Sequence, residues 1–209
     1  MLTLNFFDDR EPPQNRRGYC EGDKERHLTE GAVMLAFAVY LLEHGATAVE
    51  LHPDGEHGKR FDFRASLEAR EFLLVTAQGT TSYGGIYKRG VQQVTVTLTP
   101  GMGDVVADVN AQTVVAECKG GVINTRHAGQ LSKLRRGLCE AVGLLMARPL
   151  NGERHIAVVP ATATTTKLAQ RMLTRATAAG IEITLVDETG KVVFVEDVPS
   201  QSAVSDRQK

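Results

Sequence analysis

The chain has 209 residues, 42% of them hydrophobic and 23% charged, with a formal net charge of -1. That is apolar chain enough for a core without disulfide or metal staples, and at roughly 150 residues per domain it predicts one domain carrying an insertion. The near-neutral charge excludes a general nucleic-acid coat, the 5% aromatic content with no tryptophan argues against recognition by base stacking, and no apolar run is long enough to span a bilayer.

Residues 8–28 are polar and charge-rich, and residues 1–28 read as an N-terminal arm. Residues 29–44 predict a helix, apolar nearly all round and stopped by Gly45. A short strand follows at 46–52. Residues 53–90 are a turn-rich insertion in which FDFRASLEAREFLLVTA reads as helix, strand or one after the other, and 91–100 alternates as a strand up to Pro100. Residues 103–109 and 113–120 predict two strands joined by a turn around Asn110. A helix over 127–146 carries Leu131, Leu134, Leu138, Val142 and Leu145 on one stripe. A strand at 154–160, a helix at 164–180 with threonines at its N-cap, and two strands around a Glu-Thr-Gly turn complete a domain over 29–198; the tail 199–209 is polar and predicted disordered. The order of elements predicts an α/β fold with a mixed sheet flanked by helices and a β-rich insertion. Cys20, Cys118 and Cys139 are odd in number and form no CxxC pair, and the first residues lack a secretory pattern, which together predict a reducing, cytoplasmic setting.

The chemistry concentrates at Asp104 and at Glu117-Cys118-Lys119. Residues two apart on a strand share a face, so Glu117 and Lys119 point the same way. A two- or four-residue turn between the strands sets Asp104 opposite Glu117 and Asp108 opposite Thr113, whereas a three-residue turn moves Asp104 to the other face. Directly opposed Cβ atoms lie about 4.5–5.5 Å apart, a distance at which two carboxylates repel unless a cation or a proton intervenes. Asp108, roughly 13 Å from Glu117 along the strand, is read as a surface residue. Two oxygen ligands with waters suit Mg or Mn, and a neighbouring lysine can orient the attacking water or offset charge on a phosphate.

Asp104 followed by Glu117-Cys118-Lys119 at the end of an apolar strand, with a helix after it, resembles the PD-(D/E)XK nuclease superfamily, which includes restriction-endonuclease-like and Holliday-junction-resolvase-like nucleases. The resemblance covers about residues 29–160 and skips the insertion. It implies a restriction-endonuclease-like fold and Mg-dependent hydrolysis of phosphodiester bonds. Asp104 and Glu117 would bind the metal with the backbone carbonyl of Cys118, and Lys119 would assist the water. Glu30, on the helix face of Val33, Phe37 and Leu41, matches a glutamate that reaches the metal region. Gln130 matches a glutamine on the helix after the motif, although the tyrosine expected four residues on is Leu134, and Gly103 stands where proline often precedes the aspartate. The implied partner is nucleic acid, DNA rather than RNA, with no membrane; duplex-cutting members often form homodimers.

Competing readings attach to the same residues. Glu117 and Lys119 can be a solvent-facing pair on an edge strand, and Glu30 can complement a helix dipole. Asp54 with Glu68-Ala69-Arg70 is a rival motif with arginine in place of lysine. Lys133, Arg135, Arg136, Lys88 and Arg89 read as phosphate contacts or as solvated faces. His52 and His57 lack the neighbours of a zinc site. The rival functions are a catalytically inactive nuclease-fold module that binds nucleic acid or a protein partner, and a structural subunit whose 53–100 segment meets a partner. No phosphate-binding Gly-rich Lys-Ser/Thr loop and no GxSxG elbow is present.

Overall fold

The computed structural model describes residues 6–55 and 60–195; His57 and the tail from Pro199 lie outside them. The chain runs β1 (Asp8–Arg10), a single 3-10 turn (Gln14–Arg16), β2 (Glu25–Leu28), α1 (Glu30–Glu43), β3 (Ala48–Leu51), α2 (Phe63–Glu68), β4 (Leu73–Ala77), β5 (Gly85–Arg89) and β6 (Gln92–Val96). It continues with β7 (Val105–Val109), β8 (Gln112–Cys118), β9 (Gly121–Val122), α3 (Ala128–Met146), β10 (Arg154–Pro160), α4 (Ala163–Ala178), β11 (Ile181–Val186) and β12 (Val192–Phe194). Among the described residues these strands make one nine-stranded mixed sheet, ordered β12-β11-β10-β8-β7-β3-β6-β5-β4, and a three-stranded sheet, β1-β2-β9.

Alternation along the strands builds the layers. Val114, Ala116 and Cys118 of β8 and Val105, Ala107 and Val109 of β7 share one core with α1. On β10, Ile156 and Val158 join that core, while Ala157 and Val159 turn to a second core under α3 and α4. Helix α1 is buried along Gly31–Ala38, as its all-round apolar sequence predicts. Its cap is Thr29, whose hydroxyl accepts from the Ala32 N–H at 3.2 Å. The stripe predicted for α3 packs through Leu134, Leu138, Val142 and Leu145, with Ala141 added and Leu131 only half-buried.

The β7–β8 hairpin turns on two residues, Asn110 and Ala111, with φ of 50° and 65°. A turn with positive φ at both central positions matches the twist of the flanking strands. The resulting register pairs Val105 with Ala116 and Asp108 with Thr113. Asp104, one residue before β7, therefore stands across from Glu117, as the two-residue turn predicts.

Two sequence expectations change. Residues 8–28 are not an arm: β1 pairs with β2, and β2 pairs with β9, which follows β8 directly. The segment is polar because its anchor is polar. Buried Glu25 accepts two bonds from the Arg16 guanidinium, at 2.6 and 2.9 Å. The ambiguous stretch of the insertion resolves as helix and then strand: α2 ends at Glu68, Glu71 turns the chain with φ 66°, and β4 begins at Leu73. Strands β4, β5 and β6 extend the sheet beyond β3, so the inserted segment is β-rich and runs through β6.

Candidate active site

The site forms at the end of β8, where the β7 pairing stops. Asp104 is held by the backbone: its Oδ2 accepts the Cys118 N–H at 2.7 Å, and its carbonyl accepts the His52 N–H at 2.9 Å. Burial, reinforced by the carboxylates of Glu117 and Glu30, pushes its pKa up from 3.8 to about 7, against the opposing pull of the Cys118 N–H and the Lys119 ammonium. Gly103 has a packing reason. A Cβ there would lie 2.8 Å from both the Ala116 carbonyl oxygen and Val115 Cγ1. A proline at this position would not fit without moving β8.

Glu117 is 5% exposed and turns to the face opposite the Cys118 thiol. Its Oε1 accepts from Nη2 of Arg148, which follows the C-terminal end of α3. Asp104, Glu117 and Arg148 line one cleft of about 240 Å³ together with His52 and Asp54. The Arg148 Nε is buried there with no hydrogen-bond partner among the described residues. Asp54 of the rival motif thus borders this cleft, but Glu68 is an exposed residue of α2 paired with Arg64, and the rival set is not assembled.

Lys119 lines neither this cleft nor the larger cavity beside Glu30. Its Nζ donates to Glu30 Oε1 at 3.0 Å and lies 3.4 Å from Glu140 Oε1. Burial alone would lower the pKa of this ammonium, but Glu30, Asp104 and Glu140 outweigh it and raise the value above the ordinary lysine range. Lys119 is therefore a fixed cation, able to donate hydrogen bonds and unsuited to accept a proton. Two glycines make the approach. A Cβ on Gly120 would collide with the Glu30 nitrogen and stand 2.6 Å from the Leu28 carbonyl oxygen, so the strand end passes against the start of α1. Gly137 of α3 lets the Lys119 side chain lie close, with 3.2 Å between the Lys119 Cβ and a Cβ built at residue 137.

The remaining predicted residues fall as follows. Cys118 sends its thiol into the α1 core, where burial holds it well above the usual thiol range, and offers Asp104 its backbone N–H. Gln130, in the first turn of α3, is 7% exposed and lines the cavity beside Glu30, where Lys133 also stands. Asp108 is exposed and accepts from the Thr113 hydroxyl at 2.7 Å, a surface pair as expected. Arg135, Arg136 and Lys88 are exposed, while Arg89 is taken up by Gln92, the Arg70 carbonyl and the Phe72 ring. His52 Nδ1 lies 2.8 Å from the Thr99 carbonyl oxygen.

The structure thus brings Asp104 and Glu117 into one cleft and ties Lys119 to Glu30 beside it; the charges of Glu30 and Lys119 still act on Asp104. Among the described residues no group of three or more His, Cys, Asp or Glu side chains is placed to hold a metal ion. Sequence reading misses Arg148, Glu140 and the N-terminal arginines. Arg148 sits in no motif, and its only signal is a cation just beyond the amphipathic stripe of α3. No helix among the described residues is long and apolar enough to cross a membrane. No family model, curated protein or solved structure matches this chain, and the function rests on the geometry of these residues.

Proposed function

We propose that this protein is a metal-dependent nuclease with a restriction-endonuclease-like core, hydrolysing phosphodiester bonds of DNA. The core would be α1, β3, β7, β8, α3 and β10, with α2 and β4–β6 as the insertion. The observation that supports the reading is the hairpin register, which puts Asp104 across from Glu117 at one cleft, with Lys119 bonded to Glu30 beside it.

The donor set fits a hard divalent cation such as Mg or Mn. Two carboxylates come from neighbouring strands, and the raised pKa of Asp104 comes from burial and from the carboxylates of Glu117 and Glu30, which outweigh the Cys118 N–H and the Lys119 ammonium. Asp104 Oδ2 is committed to the Cys118 N–H, which fixes the carboxylate plane and leaves Oδ1 for the ion. Glu117 would supply the second ligand, and the Cys118 carbonyl is the proposed third. Bound there, the ion would polarise the phosphate and acidify water. Lys119, anchored by Glu30, would hold the attacking water by hydrogen bonding and offset the charge that develops on the phosphate. Arg148, paired with Glu117 at the edge of the cleft, would offer its guanidinium to a phosphate bound there.

One observation favours a second reading. The Glu117–Arg148 ion pair already compensates one of the two carboxylates, as it would in an inactive module that binds nucleic acid or a protein partner without metal. The readings part in a cleavage assay with Mg and Mn over linear, nicked, branched and single-stranded DNA. The nuclease reading predicts metal-dependent cleavage that Asp104→Ala and Lys119→Ala each reduce by at least about 100-fold with the fold intact by circular dichroism. Cleavage absent from the wild type at micromolar protein, or unchanged in both variants, refutes it.

A further inference from the structure

A cavity larger than the carboxylate cleft lies beside Glu30, and the nuclease reading leaves most of it unused. It measures about 330 Å³ and opens between the small sheet, the first turn of α1 and the first turn of α3. Four cationic side chains line it: Arg10, Arg16, Arg60 and Lys133. Glu30 is the carboxylate in its wall, and that group also holds the Lys119 amine. Two of these cations are already paired, Arg10 with Asp8 and Arg16 with Glu25. Buried Glu25 fixes the Arg16 guanidinium by two hydrogen bonds, and the two-stranded pairing of β1 with β2 carries Arg10 to the same mouth. Lys133 has no ion-pair partner among the described residues.

A second, independent feature points to a ligand. Gln130 is 7% exposed, faces this cavity, and its side chain makes no hydrogen bond to any described residue. The amide reaches the open cavity, so a ligand entering there meets an uncommitted donor and acceptor. An amide can donate to a phosphate oxygen or meet a base edge, and the surrounding charge selects an anion.

We infer that this cavity binds a single-stranded nucleic-acid segment through its phosphates, next to the bond that is cut. The inference rests on the nuclease reading for its direction, because Glu30 links the cavity to Lys119. At about 330 Å³ the cavity is too small to take in a duplex, so what enters it is a single strand. Lys133 meets the phosphate charge, Arg10 and Arg16 add the N–H donors that Asp8 and Glu25 do not take, and Gln130 turns its amide to the bound nucleotide. The small sheet is then a strand-holding wall, which explains why a charge-rich segment is ordered against the active strand.

The test separates binding from cleavage. Fluorescence anisotropy with a labelled 12-nucleotide single-stranded DNA in EDTA, titrated across salt, reads the cavity alone. Lys133→Gln should weaken binding about fivefold at low salt and lower the slope of log K against log salt by about 0.7. Gln130→Ala should weaken binding at every salt concentration without changing that slope. Lys167→Gln, on the outer face of α4, serves as the control for charge alone and should change neither. Lys133 is exposed, so its variant keeps the fold even if the Gln130 variant does not. No binding by the wild type, equal behaviour of Lys133→Gln and Lys167→Gln, or binding of blunt duplex but not single strand overturns the inference. Lys133-dependent binding with no cleavage in Mg sinks the nuclease reading and leaves the cavity standing; cleavage with Lys133-independent binding does the reverse.

Discussion

Asp104 is a residue that works against the fold that holds it. Its half-buried carboxyl is desolvated, faces other carboxylates, and has its pKa pushed up to about 7. Below pH 4 it is neutral in both folded and unfolded chains and costs nothing. As pH rises from 4 through 7 the unfolded chain ionises freely and the folded chain does not, so stability falls across that window and the loss is complete above pH 7. In metal-free protein, Asp104→Asn keeps the acceptor for the Cys118 N–H and removes the charge. Urea unfolding should show the variant about 2 kcal/mol more stable at pH 8 and equal to the wild type at pH 4, a partial release of the burial cost. A variant no more stable than the wild type at pH 8 would mean that Asp104 is ionised without strain. Glu117 meets the same problem differently, with the Arg148 guanidinium against it. The two carboxylates were readable from sequence because the strand period and the turn length place them; Arg148 was not, because a contact across 31 residues leaves no local pattern.

The β7–β8 hairpin turns a sequence pattern into a site. Both central residues have positive φ, and Ala111 adopts it without the freedom of glycine, at a cost of about 1 kcal/mol. Ala111→Gly should therefore raise stability by about 0.5–1 kcal/mol, read as a higher urea midpoint at constant m-value, and leave the register unchanged. A lower midpoint would show that the turn is not the strained point. This hairpin, α1, α3, α4 and the parallel strands were legible because each carries its own periodicity and its own stop signal. The N-terminal strands were not. β2 finds its second partner in β9, about a hundred residues on, and its buried anchor is an ion pair. Composition alone labels such a segment solvated. The start of the insertion mixes helical and extended patterns within ten residues, and only the turn at Glu71 separates α2 from β4.

At the scale of the molecule, the sheet divides the labour. One face is sealed by α1 over β3, β7, β8 and β10, which fixes the strands that carry Asp104 and Glu117. The other face is covered by α3 and α4 over β10 and β11, and the carboxylates lie where that cover ends, with α3 supplying Glu140 and the chain beyond it Arg148. Function at this scale depends on whether the two carboxylates act as a pair on a hard ion. Titration of metal-free protein with Mn, followed by calorimetry and by the loss of the free-ion electron paramagnetic resonance signal, measures that pairing without any substrate. The wild type should bind Mn, and Asp104→Asn and Glu117→Gln should each weaken that binding by at least about tenfold. Wild-type protein that binds no Mn, or variants that bind it as tightly as the wild type, would contradict it.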